Sequence, residues 1–539
     1  MTMKYIVFLS VLLFCSGLSA NGTIQIESGM YGIDYNKHLI VVNQEIGTVK
    51  DAVLIDNVVY SFVEVISTVQ IGIAYTVTNE SKDTYLLYFT KLPLININTT
   101  HTIVDEPKVP AELILSERNS TQIRSEIGIE IRGGSTQRLP KKSYRIEFAE
   151  DVRLLGLRSD DDWDLQAMAN QPLRFRSVTN FDIWRKISDI NSSRLKYAEL
   201  FINNEYKGIY GVAEPVDRKQ LNLKKYDPTK KTIHGELYKG RGWGPNLYNS
   251  CPPYDNNSRT WYRINGHGFE CDYPNEVNPD WQNLYYWVSL VVNGSDNDFY
   301  SQYKQHFSLQ SAVDYYIFLN LLKIVDNTGN NLFVAKQDVN SPYFFVPWDL
   351  DGTTGIIWNG ESVRIDDEPN TLLSNNLYLR LLKDYSETGF NATLKQKWIQ
   401  MRNDWLNVSN LMDMYRENYD YLLQNGVYER ECLAWNDYIF DPSHLDFMTE
   451  WVANRLIFLD ETFNNLKSNI TDVQETKCYQ NVDVRIYDMR GQLLNALHLN
   501  RFEENDLSSL GTFPVGIYII QIQNSHLNEV RKIIVDSKN

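Results

Sequence analysis

The hydrophobic period of this chain changes twice along its length, and that change constrains its architecture more than any single motif. From Thr23 to about Phe89, short β-branched runs such as Leu39-Ile40-Val41-Val42 and Val58-Val59-Tyr60-Ser61-Phe62-Val63 alternate with turn residues, the pattern of a small all-β domain. The chain stays β-rich from Leu92 to about Phe148. Beyond Trp163, apolar residues recur at helical spacing over 311–325, 397–423 and 445–466. After Cys478 the period returns to two: Val482, Val484 and Ile486 alternate, Arg490-Gly491 turns, and Gly516-Ile517-Tyr518-Ile519-Ile520 and Lys532-Ile533-Ile534-Val535 read as strands. The expectation is an α+β protein, with a β lobe followed by a mainly helical lobe and then a separate terminal β module of about sixty residues.

Five segments follow: a leader at 1–20, an all-β domain at 21–90, a main domain at 91–466, a linker at 467–480 and a β-sandwich at 481–539. Lys4, the apolar run 5–15 and the small residues Ser16-Gly17-Leu18-Ser19-Ala20 have the order of a secretory signal cleaved near Ala20. No later run of eighteen apolar residues exists, so no membrane-spanning helix is expected. The net charge of −16 is spread without a long basic run, which argues against a nucleic-acid partner. In an oxidising compartment Cys251 with Cys271, and Cys432 with Cys478, are expected as disulfides; a metal site is the alternative, without CxxC spacing to support it.

Motifs for zinc hydrolysis (HExxH), for a serine nucleophile elbow (GxSxG) and for a phosphate loop (GxxxxGK[ST]) are missing, and the eight His residues are scattered. What remains is carboxylates and lysine. Ile127, Ile129 and Ile131 alternate along a strand, Arg132-Gly133-Gly134-Ser135-Thr136 turns, and Lys142 shares parity with Tyr144, Ile146 and Phe148 on the returning strand. By that parity Lys142 lies on the apolar face, where an ammonium snorkels or reaches a phosphate, and Lys141 lies opposite, beside Ser143 and Arg145. Further on, Asp326 and Asn331 stand in Asp-x-x-x-x-Asn spacing, two short strands follow at 332–336 and 343–346, and Pro347-Trp348-Asp349-Leu350-Asp351-Gly352 closes the block. That is the order of a protein-kinase core, in which one Asp takes the acceptor hydroxyl proton and a later Asp and an Asn hold Mg²⁺ or Mn²⁺. Taken singly, Asp326 and Asn331 also fit as turn formers, and Asp349 and Asp351 as a helix cap or a structural Ca²⁺ site.

The chain resembles the CotH kinase family of secreted, spore-coat-type atypical protein kinases. The resemblance runs from roughly Leu92 to Leu466 through Arg132-Gly133-Gly134-Ser135, Lys141-Lys142-Ser143-Tyr144-Arg145-Ile146, Leu154-Leu155-Gly156-Leu157, Asp161-Asp162-Trp163, 173–176, Gly208-Ile209-Tyr210-Gly211-Val212-Ala213-Glu214, 326–331 and Pro347-Trp348-Asp349-Leu350-Asp351. It implies an atypical kinase-like bilobal domain, with a β-rich N-lobe and a helical C-lobe flanked by small all-β domains, that phosphorylates a secreted or cell-surface protein from ATP. Residue by residue it implies Lys142 as the phosphate lysine, Gly133, Gly134 and Ser135 as the nucleotide turn, and Asp326 as the base. Asn331, Asp349 and Asp351 are implied as metal ligands, Arg176 as a phosphate-orienting residue and Glu214 as a support of the nucleotide pocket. Asp160-Asp161-Asp162 is expected to shape a loop or cap a helix, and the aromatic insertion 240–271 to form a binding surface or a disulfide-pinned flap. The last sixty or so residues resemble the C-terminal sorting domain of type IX (Por) secretion in Bacteroidetes, which implies contact with that machinery and release or surface attachment. Two other readings stay open: a noncatalytic adhesion scaffold, and nucleotidyl transfer from the same metal–nucleotide site.

Overall fold

The computed structural model describes residues 22–47, 51–118, 120–242, 244–262, 266–357, 359–360, 370–467, 478–488, 492–503, 510, 513–514, 516–524 and 528–535. The expected leader and most of the expected linker lie outside them. The chain is α+β and divides into two compact units, residues 1–468 and 469–539. Among the described residues, no helix is long and apolar enough to cross a membrane.

The first unit opens with strands β1 (Thr23–Gln25), β2 (Tyr31–Asp34), β3 (Leu39–Val42), β4 (Ala52–Ile55), β5 (Val58–Phe62), β6 (Ala74–Thr78) and β7 (Thr84–Phe89). They form one sheet in the order β1-β4-β5-β6-β7-β3-β2. Asp56 and Asn57, at φ 49° and 64°, make the two-residue loop between β4 and β5, the left-handed pair that matches strand twist in a tight hairpin. The sheet packs on the next element through Leu39, Val41 and Tyr88 against Leu94, Phe201 and Tyr206, and Asp34 accepts a hydrogen bond from Tyr206 N at 2.9 Å.

That element is a closed barrel. Its strands are β8 (Leu94–Asn98), β9 (Val109–Ser116), β10 (Ile123–Arg132), β11 (Ser143–Arg153), β12 (Ser159–Gln166), β13 (Leu195–Ile202) and β14 (Glu205–Ala213), arranged β10-β11-β12-β14-β13-β8-β9. Alternate residues fill it: Ile127 and Ile129 from β10, Tyr144, Ile146 and Phe148 from β11, Trp163 and Leu165 from β12. Helix α1 (Arg176–Ile187) leads out of it between β12 and β13.

The rest of the unit winds helices around a second, five-stranded sheet of β15 (Glu236–Arg241), β16 (Thr260–Tyr262), β17 (Gly268–Tyr273), β18 (Leu332–Lys336) and β19 (Phe344–Pro347), in the order β16-β17-β15-β18-β19. The expected 332–346 hairpin forms, but it is the edge of this sheet and does not stand alone. Strand β15 runs into the aromatic insertion, and β16 and most of β17 come from it, so part of the insertion is core while Tyr262 stays 42% exposed. Trp261 is 3% exposed and stacks on Phe269 at 6.0 Å, and Tyr248 is fully buried. No disulfide pins the insertion: Cys251 Sγ lies 3.8 Å from Tyr285 O and Cys271 Sγ lies 3.8 Å from Pro274 O, each turned to its own carbonyl. Cys432 is also a thiol, and the side chain of Cys478, its expected partner, lies outside the described residues.

Helices α2 (Gln282–Asn293), α3 (Asp296–His306), α4 (Leu309–Leu321), α5 (Asn376–Leu381), α6 (Phe390–Asp404), α7 (Val408–Gln424), α8 (Val427–Ala434) and α9 (Ser443–Asn464) complete the unit. Helix α4 is buried on every face from Ser311 to Leu321 and forms the core of this half. The apolar period over 397–423 belongs to two helices, because Asn407 accepts from Asn410 N at 2.9 Å and caps a new start for α7.

The second unit is a single antiparallel sheet among its described residues: β20 (Cys478–Asp488), β21 (Leu493–Glu503), β22 (Gly516–Gln523) and β23 (Asn528–Val535), in the order β21-β20-β22-β23. One face collects Val482, Val484, Ile486, Ile520 and Ile522 with Leu510.

Candidate active site

The site is built around the two ends of the β18–β19 hairpin. Helix α4 stops where Lys323 turns left-handed (φ 50°), and a 3₁₀ turn, Val325–Thr328, carries Asp326 and Asn327. Asn331, entering β18, and Asp349, leaving β19, both have left-handed backbones, at φ 51° and 54°. Asn and Asp pay less than other L-residues for that conformation, which suits them to the ends of a constrained turn. The ends are tied together: Trp348 N donates to Asn331 O at 3.0 Å, and the Asn327 amide Nδ2 donates to both Asn331 O and Trp348 O at 2.9 Å.

This frame brings Asp326, Asp349 and Asp351 to one small cavity of about 10 Å³, the room of one water or ion, closed by Ile324, Val325, Asn327 and Gly352. Asp349 and Asp351 also line a neighbouring cleft of about 70 Å³, whose other walls include Arg132, Gly133, Thr136, Lys141, Gln171, Ser177 and Trp348. Acidic cavity and glycine-rimmed cleft therefore share two carboxylates. A more spacious pocket, about 910 Å³ around Thr99, His101 and Lys108, holds none of the residues singled out from the sequence.

Burial and crowding set the electrostatics. Asp326 is raised above the usual carboxylate range, first by burial and then by the Asp349 charge. Asp349 is exposed at the rim, yet desolvation by the protein around it also raises it, opposed by Arg132 and Lys239. Asp351 is raised furthest, by burial and then by Asp349 and Asp326. An anionic cluster so disfavoured fits a hard cation, and the set of donors is all oxygen. Asn327 lines the same cavity, and its buried Oδ1 has no hydrogen-bond partner, which supports the fit.

Arg132 ends β10 beside Gly133, pairs with Asp164 at 2.8 Å and lies 5.4 Å from the centre of the Trp348 ring, so it spans barrel and hairpin. Gly133 (φ 109°) needs to be glycine, since a Cβ there would meet Thr136 Oγ1 at 2.5 Å. Gly134 and the backbone of Ser135 form the 3₁₀ turn behind it, Gly134 O accepting from Gln137 N at 3.3 Å.

The strand parity read from the sequence does not carry back to the two lysines. Lys141, not Lys142, lines the cleft. Strand β11 begins at Ser143, so the alternation that places Tyr144, Ile146 and Phe148 inside does not extend back to the two lysines. Lys142 Nζ turns away to Gln137 O. Lys141 is 4% exposed, and its Nζ donates to Glu431 Oε1 at 2.7 Å, Glu431 Oε2 at 2.9 Å and Ile209 O at 2.8 Å. Glu431, on α8, also accepts from Arg174 Nε at 2.9 Å and Ile209 N at 2.6 Å. Burial works to neutralise Glu431, but Lys141 and then Arg174 hold it below its usual range. Gly208 (φ 84°) makes room: a Cβ there would sit 1.9 Å from Glu431 Oε1.

Arg176 is fully buried behind the turn that carries Asp351, with Nε donating at 3.2 Å to Thr353 O and Thr354 Oγ1. Both Nη atoms lack partners, and burial lowers the guanidinium to about 10 against the opposing charges of Tyr415 and Asp351. Glu214 is not brought to the site. It lies just past β14, five residues or roughly 17 Å along extended chain from Ile209, and accepts from Arg158 N at 2.9 Å and Arg194 Nη2 at 2.6 Å. Asn331 sets the hairpin by its backbone, and its side chain lines neither cavity. Asp160, Asp161 and Asp162 are on β12, neither in a loop nor at a helix cap. Asp160 and Asp161 converge with Asp151 on Lys219 Nζ at 2.9–3.0 Å, so a lysine neutralises that cluster.

Sequence reasoning missed Glu431, Arg174, Asn327 and Lys239, and used Arg132 only as part of a turn. Glu431 carried no signal, because nothing in the chain near 431 marks it as the partner of a lysine 290 positions earlier.

A barrel, a helical half and an acidic cavity that shares two carboxylates with a glycine-rimmed cleft define an α+β protein with a candidate cation site. Residues 129–459, more than half of the chain, match the family model described as CotH kinase protein, and the chain belongs to that family. Residues 464–536 match the secretion system C-terminal sorting domain, which directs the chain to secretion or the cell surface through the type IX system. No curated protein matches the chain.

Proposed function

We propose that the chain is an exported protein kinase that moves the γ-phosphoryl group of ATP to a Ser or Thr hydroxyl of a secreted or cell-surface protein, with Mg²⁺ or Mn²⁺. The observation that carries this reading is the sharing of Asp349 and Asp351 between the acidic cavity and the cleft rimmed by Gly133 and Arg132. In this reading the barrel is the N-lobe and the helices around α4 the C-lobe, and the terminal module hands the chain to the type IX machinery.

Asp349 and Asp351 would hold the cation, with the hairpin ends fixed through Asn331; when bound, such a cation neutralises charge on the nucleotide phosphates. Asp326, raised by burial, is suited to accept the acceptor hydroxyl proton as a general base. Arg132 offers a cation to the phosphates from the cleft wall. The three N–H groups of Lys141 are all engaged, so its role is to fix Glu431 and the cleft floor. Arg176 braces the backbone behind Asp351.

The test is a thermal-shift titration of the full chain with ATP plus Mg²⁺ or Mn²⁺, beside Asp349→Ala. Ligand at a hundred times its dissociation constant should add about 2.7 kcal/mol to the folded state. A metal-dependent shift absent from the variant supports the reading, and intact-mass analysis of a protein acceptor then separates phosphoryl from nucleotidyl transfer. No shift with either metal in folded protein favours the adhesion scaffold.

A further inference from the structure

We infer that Asn327 is a cation ligand of the acidic cavity, its side-chain Oδ1 joining the carboxylates of Asp326, Asp349 and Asp351. The inference rests on the proposed function only in taking this cavity as a cation site.

Three observations carry it. Asn327 is fully buried, and its Oδ1 has no hydrogen-bond partner, whereas buried amide oxygens are almost always paired. The amide cannot be turned round to remove the problem, because both Nδ2 hydrogens are held by carbonyls, Asn331 O and Trp348 O, each at 2.9 Å; a flip would set oxygen against oxygen. Of the other residues closing the cavity, Ile324, Val325 and Gly352 contribute no side-chain donor, and the remaining side chains are carboxylates. What suits an orphan oxygen among carboxylates is a hard cation, which takes neutral amide oxygens as readily as charged ones.

The assignment differs from the one implied by Asp-x-x-x-x-Asn spacing. Asn331 contributes a left-handed backbone and a carbonyl, while Asn327, next to Asp326, lines the cavity and carries the unpartnered oxygen. A single side chain then joins two tasks: its nitrogen clamps both hairpin ends and its oxygen meets the ion.

The experiment is a Mn²⁺ titration of the full chain without nucleotide, with free Mn²⁺ read by electron paramagnetic resonance, for wild type, Asn327→Leu, Asn327→Asp and Asp349→Ala. Asn327→Leu should bind Mn²⁺ about tenfold or more weakly. Asn327→Asp keeps an oxygen and loses the clamp; it should bind at least as tightly as wild type although its hairpin is less well held. Wild-type affinity in Asn327→Leu, or equal loss in Asn327→Asp and Asn327→Leu, overturns the assignment and leaves Asn327 a clamp. Should Asn327→Leu fail to fold, Asn327→Asp decides alone: retained or tighter binding supports the ligand, lost binding overturns it. Asp349→Ala separates the two levels. If it loses Mn²⁺ while Asn327→Leu does not, only the Asn327 assignment falls. If it keeps wild-type affinity, or if wild type shows no saturable binding, the cavity is not a cation site and both readings fall.

Discussion

Lys141 Nζ lies 2.7 Å from Oε1 of Glu431, a residue 290 positions further along the chain, and both side chains are buried. The pair closes the barrel end of the cleft with a helix from the far end of the domain. Removing one partner would leave the other charge buried. Glu431→Ala is therefore expected to cost about 3–5 kcal/mol, measured by urea unfolding of the full chain. Lys142→Ala, whose ammonium donates to Gln137 O, should change stability by less than about 1 kcal/mol and leave nucleotide affinity intact.

Gly208 is the backbone counterpart of that pair. Its left-handed φ of 84° and the 1.9 Å approach of Glu431 leave no place for a methyl group. Gly208→Ala should destabilise by about 2–4 kcal/mol. A variant as stable as wild type would mean that Glu431 does not sit against this strand.

Within the acidic cavity the two Asp roles separate. Asp326→Asn should lower turnover by about 10²- to 10⁴-fold with little change in the affinity for metal and nucleotide. Asp349→Ala should lose binding as well. Single-turnover phosphorylation beside equilibrium binding reads the difference, and equal binding loss in both variants would remove Asp326 from the role of base.

The cavity also makes stability depend on pH. Asp351 has its folded-state pKa raised by burial and by Asp349, so over the window from the ordinary carboxylate range up to that raised value the folded chain binds more protons than the unfolded one. Stability from this group is accordingly greatest below that window and falls as pH rises through it. Asp351→Asn, which cannot ionise, should be more stable than wild type at neutral pH, with the gap closing towards pH 4, and saturating Mn²⁺ should narrow the gap by stabilising the ionised wild type. Thermal unfolding across pH with and without Mn²⁺ checks the sign.

Glu214 offers a control on the boundary of the site. Glu214→Gln weakens its ion pair with Arg194 and should cost about 1–3 kcal/mol, while the dissociation constant for nucleotide stays at the wild-type value. A rise in that constant would bring Glu214 back to the pocket.

Local chemistry was legible in the chain. Period-two runs at 127–131 and 144–148 marked barrel strands, the helical run at 311–325 marked the buried α4, and the family blocks marked a CotH kinase protein with a sorting domain. Each depends on neighbours within a strand, a turn or a helix, so the order of residues is enough to determine it. Where alternation was carried past the end of β11 it failed, because side-chain parity holds only inside a strand, and the choice of Lys141 over Lys142 fell to the tertiary structure. The packing of Trp261 into the second sheet, the thiols of Cys251 and Cys271, the separation of Glu214 from the cleft, and the meeting of Lys141 with Glu431 were decided the same way. Each of these is a contact between segments distant in the chain, set by which buried charge or ring finds a partner once the barrel and helices have closed, and no spacing within one segment encodes that.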